Sequence, residues 1–329
     1  MRIIAGKYKG RNLFTEKENE IRPTTDRVKE NMFNLVQHEK YQYGKVLDLF
    51  CGSGALGIEA LSRGASYCLF CDCSIKAIDV LKKNLSKLDA EYDIFHGNYS
   101  LAIAQASRTG LKFKLIILDP PYGKVQIGDI LKEIVIADIL DNDGLIIVER
   151  PLGDKNYFLP QGLYTLDSRD YGRITLDVLA KGDAVVITGT FDPYTIGHDF
   201  LVETAINKFE CVHIVLLDNP EKEPSQPKKI RMKHIEHAVR RYKLGRKIKV
   251  REYDGLSIDY CKSNDIRYII RGFRNDEDLI YEKNMAEWNL KHGNIETILI
   301  EARDKEVSSS EIRRKIKAGE DVSSWLVGD

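Results

Sequence analysis

Short apolar runs alternate with amphipathic stretches along most of the chain, in two successive series. In the first series, the runs predict strands at 45–50, 66–71, 92–96, 115–118 and 144–149, with a closing strand at 172–179. In the second, they predict strands at 184–188, 212–217, 248–252, 268–271 and 296–300. Strands that alternate with helices are typical of parallel, doubly wound sheets. The pattern therefore predicts an α/β protein with two successive Rossmann-like sheets.

The segments between these strands predict the helices. They lie at 74–87 and 127–139 in the first series, and at 198–208, 228–242, 257–263, 276–291 and from 309 onwards in the second. A Lys-Gly-Asp segment at 181–183 is the only plausible linker, and it has no Ser- or Pro-rich spacer. A length of 329 residues fits two domains. We expect their bounds at 1–181 and 182–329.

Composition excludes some classes of protein. The chain holds 50 Lys and Arg against 50 Asp and Glu, so its overall field does not steer it towards nucleic acid, and a polyanion site must be a local patch. No apolar run approaches the ~20 residues that span a bilayer, and the N-terminal residues lack a signal-peptide pattern. We therefore expect a cytoplasmic protein without membrane contact.

The cysteines are interpreted as free thiols of a reducing compartment. Cys68, Cys71 and Cys73 resemble a metal cluster in their spacing. However, they fall on or beside a predicted strand, and no second Cys/His pair lies nearby. We interpret them as buried thiols and predict no metal-ligating residue.

The segment VLDLFCGSGALG at 46–57 predicts a strand, a glycine turn and a helix. Gly52 and Gly54 let the backbone approach a ligand closely. An ordinary tight turn is the alternative for the glycines alone. Asp48 at the strand end favours a ligand site over an ordinary turn. A carboxylate there suits a cationic ligand better than a pyrophosphate. S-adenosylmethionine carries an ammonium and a sulfonium group and fits this requirement.

A more specific motif, Asp119-Pro-Pro-Tyr122, ends another apolar strand, at the edge where α/β sheets bind ligands. The exocyclic amine of a base is a poor nucleophile, because its lone pair is delocalised into the ring. The Asp119 carboxylate and a backbone carbonyl, as at Pro120, can accept its two N–H bonds and free that lone pair. The prolines fix the backbone and place Tyr122 to stack on the base.

These motifs resemble the amino-methyltransferases that use S-adenosylmethionine. The segments RIIAGKYKGR at 2–11 and RPTTDR at 22–27 narrow the resemblance, over about residues 1–180, to the bacterial 16S rRNA guanine-N2 methyltransferase family. It implies a guanine of 16S rRNA as the substrate, and the neutral overall charge favours an assembled small ribosomal subunit over naked RNA. The resemblance also implies a donor site, and basic residues of the first half could form a local RNA patch. Their residues are Asp48, Gly52, Gly54, Asp72 and Asn98 for the donor, and Lys7, Lys9, Arg11, Arg22 and Arg27 for RNA.

The first half leaves alternatives open. Family members often carry Glu two positions before the acid that ends the second strand, where this chain has Phe70. This departure puts the donor's ribose contact in doubt and favours an inactive RNA-binding module as one alternative. The Asp-Pro-Pro-Tyr motif also serves adenine-N6 methyltransferases of DNA, although the chain shows no target-recognition insert. The basic residues could equally form a solvated face.

The second half opens with Gly189-Thr-Phe-Asp-Pro-Tyr-Thr-Ile-Gly-His198 between a predicted strand and helix. Backbone amides and a helix start in this arrangement form a phosphate site. Thr190 can bind the phosphate. His198 can donate a hydrogen bond to the charge that develops at an α-phosphate. Three further groups follow strands or precede a helix: Lys222, Arg271-Gly-Phe-Arg274 and Ser308 to Ser310.

This set is similar to the phosphopantetheine adenylyltransferase family over about residues 184–326. The resemblance implies transfer of AMP from ATP to 4′-phosphopantetheine, and a homo-oligomer formed through this domain. Mg²⁺ joins S-adenosylmethionine and ATP as an expected cofactor. Implied ATP contacts are Thr190, Phe191, His198, Gly272, Phe273, Arg274, Glu282, Ser308, Ser309 and Ser310. Implied phosphopantetheine contacts are Thr190, Lys222, Ser257 and Arg271.

The second half also departs from its family. Thr188 replaces the proline usual before the motif. The family usually has an acid at the position of Phe200, whereas this chain has its acid one position earlier, at Asp199. Other small-molecule adenylyl- or cytidylyltransferases, acting on nicotinamide mononucleotide or glycerol phosphate, are the alternatives.

Overall fold

The computed structural model describes residues 1–15, 26–36, 41–154, 157–217 and 224–327. The chain divides into two compact units, Met1–Lys181 and Gly182–Asp329. Among the predicted site residues, Arg22 and Lys222 lie outside the described ranges.

The first unit alternates strands and helices as its apolar pattern predicts. Its strands are β1 Lys45–Asp48, β2 Tyr67–Asp72, β3 Tyr92–His96, β4 Phe113–Leu118, β5 Leu140–Pro151, β6 Leu163–Tyr171 and β7 Ile174–Lys181. Its described helices are α1 Asp26–Val36, α2 Ala55–Ser62, α3 Ile75–Leu85, α4 Tyr99–Arg108 and α5 Ile127–Ile136.

The strands of the first unit form one sheet in the order β3-β2-β1-β4-β5-β7-β6. The pairs from β3 to β5 are parallel, and β7 runs antiparallel to both β5 and β6. The order reverses at β1, which lies between β2 and β4. Ligands of open α/β sheets bind outside the carboxyl ends of the strands at such a reversal. The topology therefore places the 46–57 loop and the Asp119 motif at one crevice.

Helix α2 packs unusually close to the sheet, because Gly57 has no side chain. A Cβ at Gly57 would lie 2.4 Å from the Phe70 ring and 2.7 Å from the Cys68 sulfur. Phe70 itself is fully buried. The Phe70 ring therefore fills the space between β2 and α2, beside the glycine turn, and the missing ribose contact stays a prediction.

A buried ion pair holds the N-terminal segment against α2. Glu59 is fully buried and accepts hydrogen bonds from the backbone N–H groups of Ile4 and Ala5, at 2.8 and 3.0 Å. The Nζ atom of Lys29 lies 3.2 Å from Glu59 Oε2 and donates to the Arg2 carbonyl. Because every one of these charged groups is paired, burial is tolerated. The pair fixes the start of the basic segment that contains Lys7, Lys9 and Arg11.

The second unit is a smaller sheet in which every pair of neighbouring strands is parallel. Its strands are β8 Ala184–Gly189, β9 Cys211–Leu217, β10 Ile248–Tyr253, β11 Tyr268–Phe273 and β12 Glu296–Glu301. Its helices are α6 Ile196–Ile206, α7 Lys228–Arg240, α8 Ser257–Ser263, α9 Asp276–Gly293 and α10 Ser309–Lys317. The sheet order is β10-β9-β8-β11-β12, with its reversal at β8, between β9 and β11.

The predicted α/β class with two Rossmann-like sheets is confirmed, with differences in detail. The sequence pattern did not indicate strand β6, whose exposed and half-buried positions mix within one run. It also did not indicate α1, and it gave no bounds for α4. Helix α6 begins at Ile196 instead of His198, because Thr195 caps it. In the part of the chain that the structure describes, no helix is long and apolar enough to cross a bilayer.

Candidate functional sites

Asp48 lies at the carboxyl end of β1 and is almost fully buried. Its Oδ2 atom accepts a hydrogen bond from Gly57 N–H at 2.9 Å. Its Oδ1 atom has no hydrogen-bond partner among the described residues. Burial raises the pKa of this carboxyl to about 7, and the neighbouring Asp119 and Asp72 carboxylates add to the rise. A buried carboxylate without a full set of partners is costly, so the site suits a ligand that brings positive charge.

The glycine turn surrounds this carboxylate. Gly52 and Gly54 have φ values of 51° and 81°, in the left-handed region that favours glycine. Asp72, at the end of β2, accepts hydrogen bonds from the N–H groups of Gly52 and Ser74, both at 2.8 Å. The structure therefore brings Asp72 to the turn and uses its two oxygens to brace the loop and the start of α3.

Asn98 caps α4 and lies just beyond β3. Its Oδ1 atom accepts a hydrogen bond from Ser100 N–H at 2.9 Å. This capping role alone accounts for the side chain. Its place beyond the carboxyl end of the third strand keeps it on the crevice side of the sheet.

The Asp119 motif follows β4 directly. Asp119 is half-buried, and Tyr122 keeps 51% of its surface exposed. The Tyr122 hydroxyl donates to Oε1 of the buried Glu149 at 3.0 Å. Glu149 lies near the end of β5 and was missed by the sequence interpretation, because a single acid in an apolar run has no motif around it. It anchors one end of Tyr122 while the ring stays accessible for stacking on a base.

The donor set of this crevice fits S-adenosylmethionine. Asp48, Asp72 and Asp119 are close enough for the two others to raise the pKa of Asp48. Three carboxylates near one point repel each other, and a cation relieves that repulsion. The exposed Tyr122 ring offers a face to a planar base at the same edge of the sheet.

The predicted RNA residues of the first unit are divided between engaged and exposed side chains. Lys7 pairs with Asp89 at 3.1 Å, and Arg11 donates to the Lys87 carbonyl at 2.7 Å. Lys9 and Arg27 are exposed. The N-terminal segment therefore presents a basic surface, although part of its charge is already balanced.

In the second unit, Thr195 and His198 form a reciprocal cap at the start of α6. The His198 Nδ1 atom accepts from Thr195 N–H at 3.1 Å, and Thr195 Oγ1 accepts from His198 N–H at 3.3 Å. Since Nδ1 acts as an acceptor, the neutral ring carries its proton on Nε2. The structure therefore presents His198 as an N–H donor at a helix N-terminus.

The surroundings of His198 keep this ring neutral. Burial lowers its pKa to about 4, and the guanidinium groups of Arg271 and Arg274 add to that effect. The Tyr194 ring stacks on the imidazole with centroids 5.6 Å apart, and the Phe191 ring meets it edge-on at 5.0 Å. These aromatic contacts fix the ring plane and so the direction of the Nε2–H bond.

The loop between β8 and α6 is held from several sides. Phe191 has a φ of 49°, which is strained for a bulky residue. Arg231, which is 2% exposed, donates to the Thr190 carbonyl at 2.6 Å and to the Gln226 carbonyl at 3.0 Å. The buried Asp192 accepts from Ser225 N–H at 2.6 Å. Arg231 and Asp192 position this loop, and the sequence interpretation had assigned neither of them.

Arg271 lies at the end of β11, beside the loop that follows β8. Glu282 on α9 grips its guanidinium with both carboxylate oxygens, at 2.9 and 2.7 Å. A further guanidinium nitrogen donates to Thr188, to its carbonyl and its hydroxyl, both at 3.2 Å. The hydroxyl that replaces the usual proline thus helps to orient Arg271. The Glu282 carboxylate is thus bound to Arg271, and its predicted contact with ATP stays a prediction.

Arg274 directly follows β11, and its backbone N–H and its side chain both donate to the Asp278 carboxylate. Gly272 and Phe273 are half-buried between these two arginines. A Cβ at Gly272 would approach the Leu201 side chain of α6 at 3.3 Å, so glycine keeps β11 close to that helix.

Three serines gather at the start of α10. Ser308 caps the helix by accepting from Glu311 N–H at 3.1 Å. Ser309 donates to the Pro193 carbonyl at 3.0 Å, and Ser310 accepts from Arg313 at 3.2 Å. The Ser309 bond brings the α10 N-terminus against the loop between β8 and α6. Ser257 is half-buried at the start of α8, after β10.

The donors of this second site fit a nucleoside triphosphate. A neutral imidazole N–H, two arginines and the N-termini of α6 and α10 all favour negative charge. No cluster of three or more His, Cys, Asp or Glu suited to a metal occurs in the described ranges.

Comparisons with known proteins divide the chain in the same place. The family described as "Conserved hypothetical protein 95" matches residues 1–180, and the family described as "Cytidylyltransferase-like" matches residues 186–315. The chain is similar to the "Putative rRNA methyltransferase YlbH" of Bacillus subtilis (strain 168), with 39% identity over 49% of this chain and 86% of that protein.

Two further relatives cover the two halves. The "Ribosomal RNA small subunit methyltransferase D" of Buchnera aphidicola subsp. Baizongia pistaciae is 34% identical over 46% of this chain and 76% of its own length. The "Phosphopantetheine adenylyltransferase" of Lactococcus lactis subsp. cremoris is 33% identical over 43% of this chain and 87% of its own length. The first unit is thus a methyltransferase-like domain, and the second is a phosphopantetheine adenylyltransferase-like domain.

Proposed function

Since the chain belongs through residues 1–180 to the family described as Conserved hypothetical protein 95 and through residues 186–315 to the cytidylyltransferase-like family, we propose that it is a bifunctional cytoplasmic enzyme. Its first unit methylates the N2 amine of a guanine in 16S rRNA, within the small ribosomal subunit. Its second unit transfers AMP from ATP to 4′-phosphopantetheine and releases pyrophosphate. The bounds of the two functional domains are 1–181 and 182–329.

The single observation that carries the methyltransferase proposal is the meeting of two carboxylates at one crevice. Asp48 ends β1, Asp119 follows the neighbouring β4, and the charge of Asp119 acts on the pKa of Asp48. One carboxylate serves the cationic donor and the other serves the amine that accepts the methyl group. S-adenosylmethionine supplies an electrophilic methyl group when it is bound.

The chain's own residues prepare the amine. The Asp119 carboxylate and the Pro120 carbonyl each accept one N–H of the guanine amine, which turns its lone pair away from conjugation with the ring. Tyr122, anchored through Glu149, stacks on the base. The methylated nitrogen then loses a proton, and Asp119 is placed to receive it. Asp48, Gly52, Gly54, Asp72 and Asn98 line the donor side.

The adenylyltransferase proposal is carried by the donor geometry of His198. Its Nε2–H group is neutral and stands at the N-terminus of α6, where charge on a reacting α-phosphate would be stabilised. An oxygen of the phosphopantetheine phosphate attacks the α-phosphorus, and the bond to pyrophosphate breaks. The acceptor phosphate is already ionised at neutral pH, so no general base is required.

Arg271, Ser257 and Lys222 are assigned to the acceptor phosphate. Arg274, Gly272, Phe273 and the α10 serines are assigned to the ATP phosphates and base, together with Thr190 and Phe191. Glu282 acts through Arg271, because its carboxylate binds that guanidinium. Mg²⁺ accompanies ATP in this proposal.

The second unit also forms a homo-oligomer in this proposal. Helix α9 exposes an apolar set at helical spacing, with Ile280 and Tyr281 at 62% and 61% exposure and Met285 and Trp288 at 36% and 37%. Large apolar side chains that share an exposed helix face are typical of protein–protein interfaces. Light scattering on the isolated second unit tests the oligomer.

The decisive experiment assays the purified chain for both products. One reaction contains ATP and phosphopantetheine, and the other contains labelled S-adenosylmethionine and small ribosomal subunits. Cutting the gene between Gly182 and Asp183 then tests whether each unit works alone. Retained adenylyl transfer by the second fragment, and retained donor binding by the first, support independent units. Loss of activity by a fragment that still shows a folded circular-dichroism spectrum would contradict that independence.

A further inference from the structure

A strongly basic cleft lies on the second unit. It lies at the sheet edge formed by β10, opposite the edge formed by β12. It has a volume of about 690 Å³ and runs between the end of α7, the turn 241–247 and the edge strand β10. Arg240 and Lys243 border it from the end of α7 and the turn that follows, and Lys249 and Arg251 border it from β10. We call these four residues the basic cleft. The cleft lies at the start of β10, whereas the nucleotide site lies at the carboxyl ends of β8 and β11.

The charge of this region stands out from the rest of the chain. The twelve residues 240–251 contain seven Lys and Arg and no Asp or Glu, in a chain whose net charge is zero. Arg241 binds Asp199 and lies 3.7 Å from Glu203. Its charge is therefore balanced by acids outside the cleft. Within the described ranges, no ion pair engages Arg240, Lys243 or Arg251. Among the residues that the structure describes, Glu236 is the one acid that lines the cleft.

The arrangement of the cations indicates the kind of partner. Lys249 and Arg251 alternate with the apolar Ile248 and Val250, so they project from one face of β10, about 6.6 Å apart. Cations from the end of α7, from the turn that follows and from β10 border this edge of the sheet. Such a row complements an extended charged chain and is less suited to a flat membrane surface. Clusters of Lys and Arg of this density are typical of nucleic-acid sites.

We infer that the basic cleft binds the phosphate backbone of RNA, so that the adenylyltransferase-like unit helps to hold the RNA that the first unit modifies. The choice of RNA over another polyanion rests on the proposed function of the first unit. The cleft uses no residue assigned to adenylyl transfer. This role gives a physical reason for joining the two units, since a second RNA contact on the same polypeptide raises the effective concentration of substrate.

The cations have one competing explanation. Charged side chains on an edge strand keep other strands from pairing with it. That explanation requires charge on β10 alone. It does not account for Arg240 and Lys243, which border the cleft from the end of α7 and the turn that follows and lie outside the strand. Binding measurements separate the two explanations, because protection of an edge predicts no affinity for RNA.

The test compares two triple variants of the full chain. The cleft variant is Arg240→Gln, Lys243→Gln and Arg251→Gln. The control variant removes the same charge from exposed lysines elsewhere in the second unit: Lys208→Gln, Lys291→Gln and Lys317→Gln. Fluorescence anisotropy measures binding of a labelled single-stranded RNA of about 20 nucleotides, at several salt concentrations from about 50 mM upwards.

We expect the cleft variant to bind RNA about 10–100-fold more weakly at the lowest salt, and the slope of log K against log salt to fall by about 2, since each lost phosphate contact removes about 0.7. The control variant should bind within about 2-fold of the wild type. Adenylyl transfer should be unchanged in both, which shows that the unit is folded. Equal binding by the cleft variant and the wild type would overturn the inference, as would equal losses in both variants.

Two further measurements separate this inference from the proposed function and from another partner. An Asp119→Ala variant, which should lack methyl transfer, is expected to bind the RNA as the wild type does. If small subunits are not methylated at all but the cleft variant still loses RNA binding, the cleft inference stands and the methylation proposal fails. If the cleft variant loses binding to phosphatidylserine vesicles but not to RNA, the surface is a membrane site and the inference is wrong.

Discussion

The unusual state of Asp48 makes donor binding dependent on pH. Burial raises the pKa of this carboxyl from its usual 3.8 to about 7, with help from Asp119 and Asp72. A bound sulfonium stabilises the charged carboxylate, so below pH 7 binding must first remove a proton. We expect the Kd for S-adenosylmethionine to rise about 10-fold for each pH unit below 7, and to be nearly constant between pH 7.5 and 8.

Titration calorimetry measures both the affinity and the proton. At about pH 6, binding should release close to one proton, and the observed heat should therefore vary with the ionisation enthalpy of the buffer. Asp48→Asn should bind more weakly at pH 8 and lose this pH dependence, because Asn is neutral throughout. Asp79→Asn, an exposed acid on α3, is the matched control and should keep the wild-type slope. A wild-type affinity that stays constant from pH 5 to 7, or an equal slope in Asp48→Asn, would refute the reasoning.

The same group affects stability without ligand. A carboxyl whose pKa is raised by folding contributes stability that is fully present below pH 3.8 and is lost as the pH rises through 7. A shift of about 3 units corresponds to about 4 kcal/mol at pH 8. We therefore expect Asp48→Asn to unfold at a higher urea concentration than the wild type at pH 8, and this difference to shrink towards pH 5. A destabilised variant at pH 8 would show that the Asp48 charge is well satisfied in the free protein.

Three further predictions test the remaining assignments. His198→Ala should lower kcat for adenylyl transfer about 10²–10³-fold with a smaller change in KM, because it removes a donor used in the transition state; the exposed control His234→Ala should be normal, and a near-normal kcat for His198→Ala would remove this role. Asp119→Ala should abolish methyl transfer while calorimetry finds donor binding within a few-fold, and a collapse of donor binding would move Asp119 into the donor pocket. Glu282→Gln should raise the KM for phosphopantetheine about 10-fold and leave the KM for ATP within about 3-fold, because it loosens Arg271; the reverse pattern would return Glu282 to the ATP site.

Much of the fold and of both candidate sites could be predicted from local pattern. The alternation of apolar strands and amphipathic helices indicates the α/β class, because each parallel strand needs a crossover helix. The Asp119 and Gly189 motifs could be recognised in the sequence, because each places several Gly, Pro, Asp or aromatic residues together in one turn. Strand β6 was missed because it lies at the sheet edge, where half-exposed positions weaken the period-two pattern.

Residues that act through one distant partner carry no such local signal. Glu149 anchors Tyr122 across 27 positions of sequence, and Arg231 holds the Thr190 carbonyl across 41. A lone acid or arginine within a strand or helix looks like many others. Only the packing of the elements shows that its charge is buried and therefore needs a specific partner.

The sequence by itself determined which chemical groups the chain has and that they follow strands at the loops where ligands bind. The tertiary structure decided how those groups are used. It left Asp48 Oδ1 without a hydrogen bond among the described residues, made His198 a neutral Nε2–H donor, and paired the Glu282 carboxylate with Arg271. Burial and partners govern charge and proton position, and both arise only when segments far apart in the chain are packed together.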